Sequence, residues 1–227
     1  MTSPSPDHLP AIEVETGKNP THTVLWLHGL GAAGDDFVPI VNELALPSAT
    51  RIRFLFPNAP MRPVSINRGS LMRAWYDFDM IDPELGLREN MATLRESQRA
   101  IEALIARERE RGVRPGHIVL AGFSQGGALA LHAGLRYPEK LAGIMALSTY
   151  LPAPQALASE ANAANRATPI FMAHGDTDYV IPMMLAATSK RQLVDLGYEV
   201  EWHEYRMGHT ACSEELADIG KWLKRVI

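Results

Sequence analysis

Residues 117–131 read HIVLAGFSQGGALAL, and this stretch decides the fold. His117 to Ala121 form a short apolar run with β-branched members, as in a strand covered on both faces. From Gln125 to Tyr137 the pattern turns helical. Ser124 stands where strand meets helix, flanked by Gly122 and Gly126. A serine on so tight a turn needs neighbours without side chains, and the two glycines supply that room. The helix starting behind Ser124 aims its first amides and its positive dipole end at charge developing near the hydroxyl. A bare G-x-S-x-G match arises by chance about once in fifteen to twenty chains of this composition, so the strand before it and the helix after it give it its weight.

Outward from this turn, short apolar runs alternate with helix-period segments along most of the chain, which predicts an α/β fold with a mostly parallel sheet. Seven strands are expected: Ile12 to Glu15, His22 to Leu27, Arg51 to Phe56, His117 to Ala121, Ala142 to Leu147, Pro169 to Ala173 and Glu199 to Tyr205. Helical character falls on Asp35 to Leu44, Leu87 to Arg111, Gln125 to Tyr137, Met183 to Leu196 and Ser213 to Val226. The second of these is an amphipathic surface helix, with Met91, Leu94, Ile101, Leu104 and Ile105 recurring near 3.6 residues. No Gly/Ser/Pro-rich linker divides the chain, so residues 1–227 are read as a single domain with residues 1–10 flexible. Pro57 to Gly86 is expected to be a long irregular loop whose aromatics pack it down or cover a substrate. Pro152 to Thr168 reads as an irregular surface crossing.

The 227 residues are 46% hydrophobic and 21% charged, with a net charge of −4. Such a chain can bury about 70% of its extended surface without metals or disulfides. The acidic balance and the lack of a basic run argue against a nucleic-acid partner. Cys212 is the only cysteine, so no internal disulfide forms, which fits a reducing cytoplasmic location. No apolar stretch is long enough for membrane insertion, and the first twenty residues lack signal-peptide features.

A serine hydroxyl needs a base to take its proton, and an imidazole base needs a carboxylate to orient it. In parallel sheets such groups sit on loops at the carboxyl ends of strands. After PIFMA comes His174-Gly175-Asp176-Thr177-Asp178, and after EVEWHEYR comes Met207-Gly208-His209-Thr210. Ser124, Asp178 and His209 then follow in the order Ser, Asp, His of the α/β-hydrolases. Of the eight histidines, His8 lies in the expected flexible start, and His22, His117, His132 and His203 lie away from the required edge. His28 and His174 are at strand ends but precede a glycine, and are read as organising their own turns through ring hydrogen bonds. Asp178 is favoured over Asp176, which is expected to serve its own turn. Backbone N–H groups of Gln125, just after the serine, and of Leu30 in His28-Gly29-Leu30-Gly31 are the expected oxyanion donors. The sequence has no H-E-x-x-H, no Cys/His cluster and no phosphate-cradling glycine motif, so neither a metal nor another cofactor is expected.

The motifs LHGLGA, FPNAP, MRAWYDF, GFSQGG, ALSTYLP, HGDTDYVIP and the late GHT together resemble the phospholipase/carboxylesterase branch of the α/β-hydrolases, which includes small carboxylesterases and acyl-protein thioesterases. The resemblance runs from about Thr21 to the C-terminus. It implies an α/β-hydrolase fold without a large cap domain, a Ser124–Asp178–His209 triad, and an oxyanion hole from Leu30 and Gln125. It further implies that Trp75, Tyr150 and Val180 border the acyl-binding groove, with Leu30 on its floor. At position 150 the eukaryotic thioesterases tend to carry Trp and the bacterial esterases Tyr, which inclines the reading toward a bacterial carboxylesterase. The family needs no cofactor, is largely cytoplasmic and is often dimeric, which leaves a homodimer open.

The expected function is hydrolysis of small-molecule carboxylic esters with short-to-medium acyl groups through an acyl-enzyme. Within the same chemistry the alternatives are acyl-protein thioesterase and lysophospholipase. From a different class, the alternative is a ligand-binding protein that keeps a hydrolase scaffold without turnover.

Overall fold

The computed structural model describes residues 9–47, 49–82 and 86–227. His8 and most of the segment expected to be flexible, residues 1–10, lie outside the described residues. The strands are β1 (Ala11–Glu15), β2 (His22–Leu27), β3 (Ile52–Pro57), β4 (Met61–Val64), β5 (Ser70–Arg73), β6 (Phe78–Asp82), β7 (Gly86–Glu89), β8 (Ile118–Phe123), β9 (Gly143–Leu147), β10 (Ile170–Gly175) and β11 (Val200–Tyr205). The α-helices are α1 (Ile40–Glu43), α2 (Met91–Glu110), α3 (Gln125–Arg136), α4 (Pro154–Glu160), α5 (Met183–Asp195) and α6 (Ser213–Val226).

Seven strands form one sheet in the order β1-β3-β2-β8-β9-β10-β11. Only β1 runs antiparallel to its neighbour, with Ala11 opposite Pro57 and Glu15 opposite Arg53. Alternate residues of each central strand enter opposite layers. Leu25 and Leu27 of β2 pack with Leu94 and Ile101 of α2 and Leu131 of α3. Val24 and Trp26 pack with Val41 of α1 and Leu216 and Trp222 of α6 on the other side. Both faces are thus covered, which is why β2, β3, β8 and β9 carry nearly unbroken apolar runs.

The strand order places the site. From β2 the chain crosses to β3 on one side, whereas from β8 it crosses through α3 to β9 on the other. Loops leaving β2 and β8 at their carboxyl ends therefore diverge and open a crevice between them. Those two loops hold Leu30 and Ser124.

Several expectations need correction. Pro57 to Gly86 is not an irregular loop, because β4 and β5 form one hairpin and β6 and β7 another. The second hairpin takes Leu87–Glu89 from the expected helix, so α2 starts at Met91, where the Asn90 side chain accepts the Thr93 N–H at 3.0 Å. The segment Asp35 to Leu44 is broken into a 3-10 turn and the short α1, since Pro39 has no amide with which to continue a helix. Pro152 to Thr168 contains α4, which begins with Pro154 at its first turn.

Candidate active site

Ser124 sits between β8 and α3 with φ 54° and ψ −122°, a region that non-glycine residues rarely occupy. The surroundings enforce that geometry. The Ser124 N–H donates to Leu147 O at 2.8 Å, and its carbonyl accepts the Thr149 hydroxyl at 2.7 Å. A side-chain carbon on Gly122 would stand 2.3 Å from the Gly126 carbonyl oxygen, and one on Gly126 would stand 2.2 Å from Leu27 O. Strand and helix thus approach as closely as bare backbone permits. The turn is stored strain held by packing on both sides, as at many reactive positions.

The structure brings Asp178 and His209 together from the ends of β10 and β11. His209 Nδ1 donates to Asp178 Oδ2 at 2.7 Å. Asp178 Oδ1 accepts the Val180 and Ile181 amides at 2.8 and 2.9 Å. The carboxylate is buried and saturated with donors, which fixes its orientation. Because His209 donates its Nδ1–H to the carboxylate in a hydrogen bond, its Nε2 keeps a lone pair that can accept a proton. The imidazole packs 4.7 Å from the Phe123 ring, beside the turn that carries Ser124. The Ser124 hydroxyl is outside hydrogen-bond geometry with His209, and bonds between nucleophile and base are often loose until substrate arrives. Asp176 is exposed and its carboxylate does not reach His209.

His174 lies beneath the same loop. Its Nε2 donates to Ile181 O at 2.8 Å and stands 3.3 Å from Asp178 Oδ2. Burial, partly offset by Ile181 O and Asp178, holds its basicity below the usual histidine value. His132, buried on α3, is pushed down to about 3 by desolvation reinforced by Arg136 and Arg95, so it is neutral at any physiological pH.

Gln125 does more than follow the serine. Its side-chain oxygen accepts the Trp75 backbone N–H at 2.8 Å, and its side-chain nitrogen donates to Tyr76 O at 2.7 Å. Trp75 is fully buried. Its indole N–H donates to His28 O at 2.8 Å, and its carbonyl accepts the Ser97 hydroxyl. The structure therefore places Trp75 behind the site as a support, with no surface facing solvent. Tyr150 is half-buried, with its hydroxyl 3.1 Å from that of Tyr76, and Val180 is exposed beside Asp178. The amides of Leu30 and Gln125 have no hydrogen-bond partner among the described residues. The latch made by the Gln125 side chain is invisible in sequence, because its partners are 49 and 50 residues away.

Among the described residues, no group of three or more His, Cys, Asp or Glu side chains could hold a metal ion. Among the described residues, no helix is long and apolar enough to cross a membrane.

Comparison with known proteins agrees with this architecture. Acyl-protein thioesterase 1 of Mycosarcoma maydis is 36% identical over 230 residues, spanning 95% of each chain. SOBER1 of Arabidopsis thaliana superposes with a TM-score of 0.84 at 31% identity, over 90% of this chain and 98% of that one. Acyl-protein thioesterase 2 of Zea mays gives 0.83 at 25% identity, over 96% and 99%. Residues 9–227, which carry the whole seven-stranded sheet and the loops of Ser124, Asp178 and His209, match the model of the phospholipase/carboxylesterase family, and the chain belongs to that family.

Proposed function

We propose that the chain hydrolyses carboxylic esters of short-to-medium acyl groups through an acyl-enzyme on Ser124. His209 Nε2 takes the Ser124 proton as the oxygen attacks the acyl carbonyl. Asp178 stabilises the imidazolium that forms. The Leu30 and Gln125 N–H groups hold the oxyanion. Collapse expels the alcohol, which takes its proton from His209. Water then repeats the sequence on the acyl-enzyme and releases the acid.

The observation that carries this reading is the 2.7 Å bond from His209 Nδ1 to a buried, donor-saturated Asp178, beside a serine held at φ 54°. The acyl-length preference is supported by the connection between β9 and β10, which holds only α4 and a short 3-10 turn and so supplies no large cap. Ser124→Ala is expected to lower turnover of p-nitrophenyl butyrate by about 10⁴-fold or more. Turnover near the wild-type rate in that variant, or no labelling of Ser124 by a fluorophosphonate, overturns the reading. A rate series peaking at C14 to C16 chains overturns the length preference.

Similarity to acyl-protein thioesterase 1 over nearly the whole chain favours a second reading, in which the scissile bond is a thioester. Comparing kcat/KM on matched oxygen and sulfur esters decides between them.

A further inference from the structure

We propose that His28 is a positioning residue of the oxyanion hole: its ring fixes the plane of the Gly29–Leu30 peptide and so aims the Leu30 N–H at the oxygen of the tetrahedral intermediate. The inference rests on the acyl-enzyme reading above.

His28 is fully buried at the end of β2. Its Nδ1 is 2.7 Å from Gly29 O, and its Nε2 is 3.0 Å from the Ala59 N–H. A carbonyl only accepts and an amide N–H only donates, so the proton must be on Nδ1 and the lone pair on Nε2. The ring is therefore a neutral strut with one donor and one acceptor, tied at one end to the loop after β3 and at the other to the Gly29 carbonyl. Burial, which disfavours the imidazolium, keeps it in that form.

In a planar trans peptide the carbonyl and the following N–H point in opposite directions. Gly29 O is drawn inward by His28 Nδ1–H and also by the Ala32 N–H at 3.2 Å. The Leu30 N–H of the same peptide must then face the other way. The loop itself lies against the nucleophile, since a side-chain carbon on Gly29 would stand 3.4 Å from Ser124 Cβ. The peptide units on either side are pinned independently. His28 O accepts the Trp75 indole, and the Gly31 N–H donates to Arg73 O at 2.8 Å. Among the described residues the unit between them is held only by the His28 ring and the longer Ala32 bond, and it joins the chain at a glycine, where rotation meets little steric resistance. Without the ring it could flip and present its carbonyl, an acceptor, to the developing oxyanion.

Two substitutions separate the ends of the strut. The carboxamide nitrogen in His28→Asn takes the place of Nδ1 and keeps the bond to Gly29 O. In His28→Gln the carboxamide oxygen takes the place of Nε2 and keeps only the Ala59 anchor. On p-nitrophenyl butyrate, His28→Gln is expected to lower kcat about 10- to 100-fold with KM within about twofold, and His28→Asn to stay within about threefold. The affinity of a trifluoromethyl ketone, which forms an oxyanion on Ser124, should fall by the same factor as kcat in His28→Gln. Equal activity of the two variants, or a kcat loss with ketone affinity retained, overturns the proposal. So does an Nε2–H tautomer in the ¹⁵N NMR spectrum of the wild-type protein, a measurement that does not depend on either variant folding. Turnover that survives Ser124→Ala overturns the acyl-enzyme reading and this inference together. Turnover that needs Ser124 but is indifferent to His28→Gln overturns the role of His28 alone.

Discussion

On the Gln125 side of Ser124, Ala74, Trp75 and Tyr76 are fully buried, whereas past Asp178 Tyr179 is 92%, Val180 64% and, in the first turn of α5, Met184 74% exposed. The backbone of Trp75 is bonded at both N–H and C=O, and its indole is bonded as well. Past Asp178 its carboxylate holds the loop at the Val180 and Ile181 amides, while the Tyr179, Val180, Met184 and Leu185 side chains are exposed. Under the proposed function the contrast matches two different tasks. Oxyanion donors must meet an atom within a few tenths of an ångström, which demands a supporting shell with every polar group satisfied. An acyl wall has only to exclude water over a flexible chain, and loose apolar surface suffices.

The rigid side should break hardest. Gly126→Ala puts a side-chain carbon 2.2 Å from Leu27 O and 2.6 Å from His28 O, backbone against backbone, with no rotamer to relieve it. We expect a loss of more than about 3 kcal/mol in urea unfolding and a collapse of kcat. A variant with the wild-type unfolding midpoint would show that the turn is softer than its packing implies. Next comes Gln125→Ala, which leaves the buried Trp75 N–H and Tyr76 C=O unpaired. At about 1–3 kcal/mol for each orphaned group, a loss of roughly 2–6 kcal/mol is expected, against less than about 0.5 kcal/mol for Val180→Ala on the open side. Similar losses in the two variants would remove the distinction between the walls.

This contrast also separates what the sequence makes legible from what it does not. The strand His22–Leu27 is readable because burial on both faces leaves Val24–Leu27 as a solid apolar run. The strand-to-helix turn at Ser124 and the placement of Asp178 and His209 after β10 and β11 are readable because each follows an expected strand. The rigid wall is not readable, since it is made by polar groups meeting far along the chain. Asp77 Oδ1 accepts the Ser65 N–H at 2.7 Å, and Asp77 O accepts the Asn90 N–H at 2.8 Å, contacts that stitch hairpins together without any hydrophobic period. Trp75 belongs to the same network: its indole N–H finds a buried carbonyl 47 residues away, a contact that no period in the sequence announces. The seven-residue α4 is too short to display a period and is announced only by Pro154.

A smaller effect is expected on the open wall, and of a different kind. Val180→Ser combined with Met184→Ser removes apolar surface without touching a bonded backbone group. For p-nitrophenyl octanoate KM should rise about three- to tenfold, while for the acetate it should change less than about twofold, with kcat and stability unaltered. A fall in kcat for both esters would mean that this wall positions the triad, and the two sides would be alike.

The smallest expected effect distinguishes the histidines beneath the two walls. His28 and His174 are both buried, and burial lowers the basicity of both. Between the lowered folded value and the ordinary value near 6.5, the unfolded chain binds a proton that the folded chain refuses, so stability rises with pH up to that value and is lost as pH falls below it. Each such group contributes at most about 1.4 kcal/mol per pH unit in that window. The local costs differ. Protonating His28 on Nε2 removes the acceptor of the Ala59 N–H, with Arg73 opposing the new charge and Asp35 and Asp36 only partly favouring it. Protonating His174 on Nδ1 breaks no hydrogen bond, because that atom has no partner among the described residues, and Asp178 favours the charge while His209 opposes it. Corrected for intrinsic rates, hydrogen exchange at the Ala59 amide should therefore accelerate a few-fold more than at the Val180 and Ile181 amides between pH 6.5 and pH 5. Equal acceleration at the three amides would mean that acid loosens both walls together, and that the strut at His28 is no more vulnerable to protonation than the loop around Asp178.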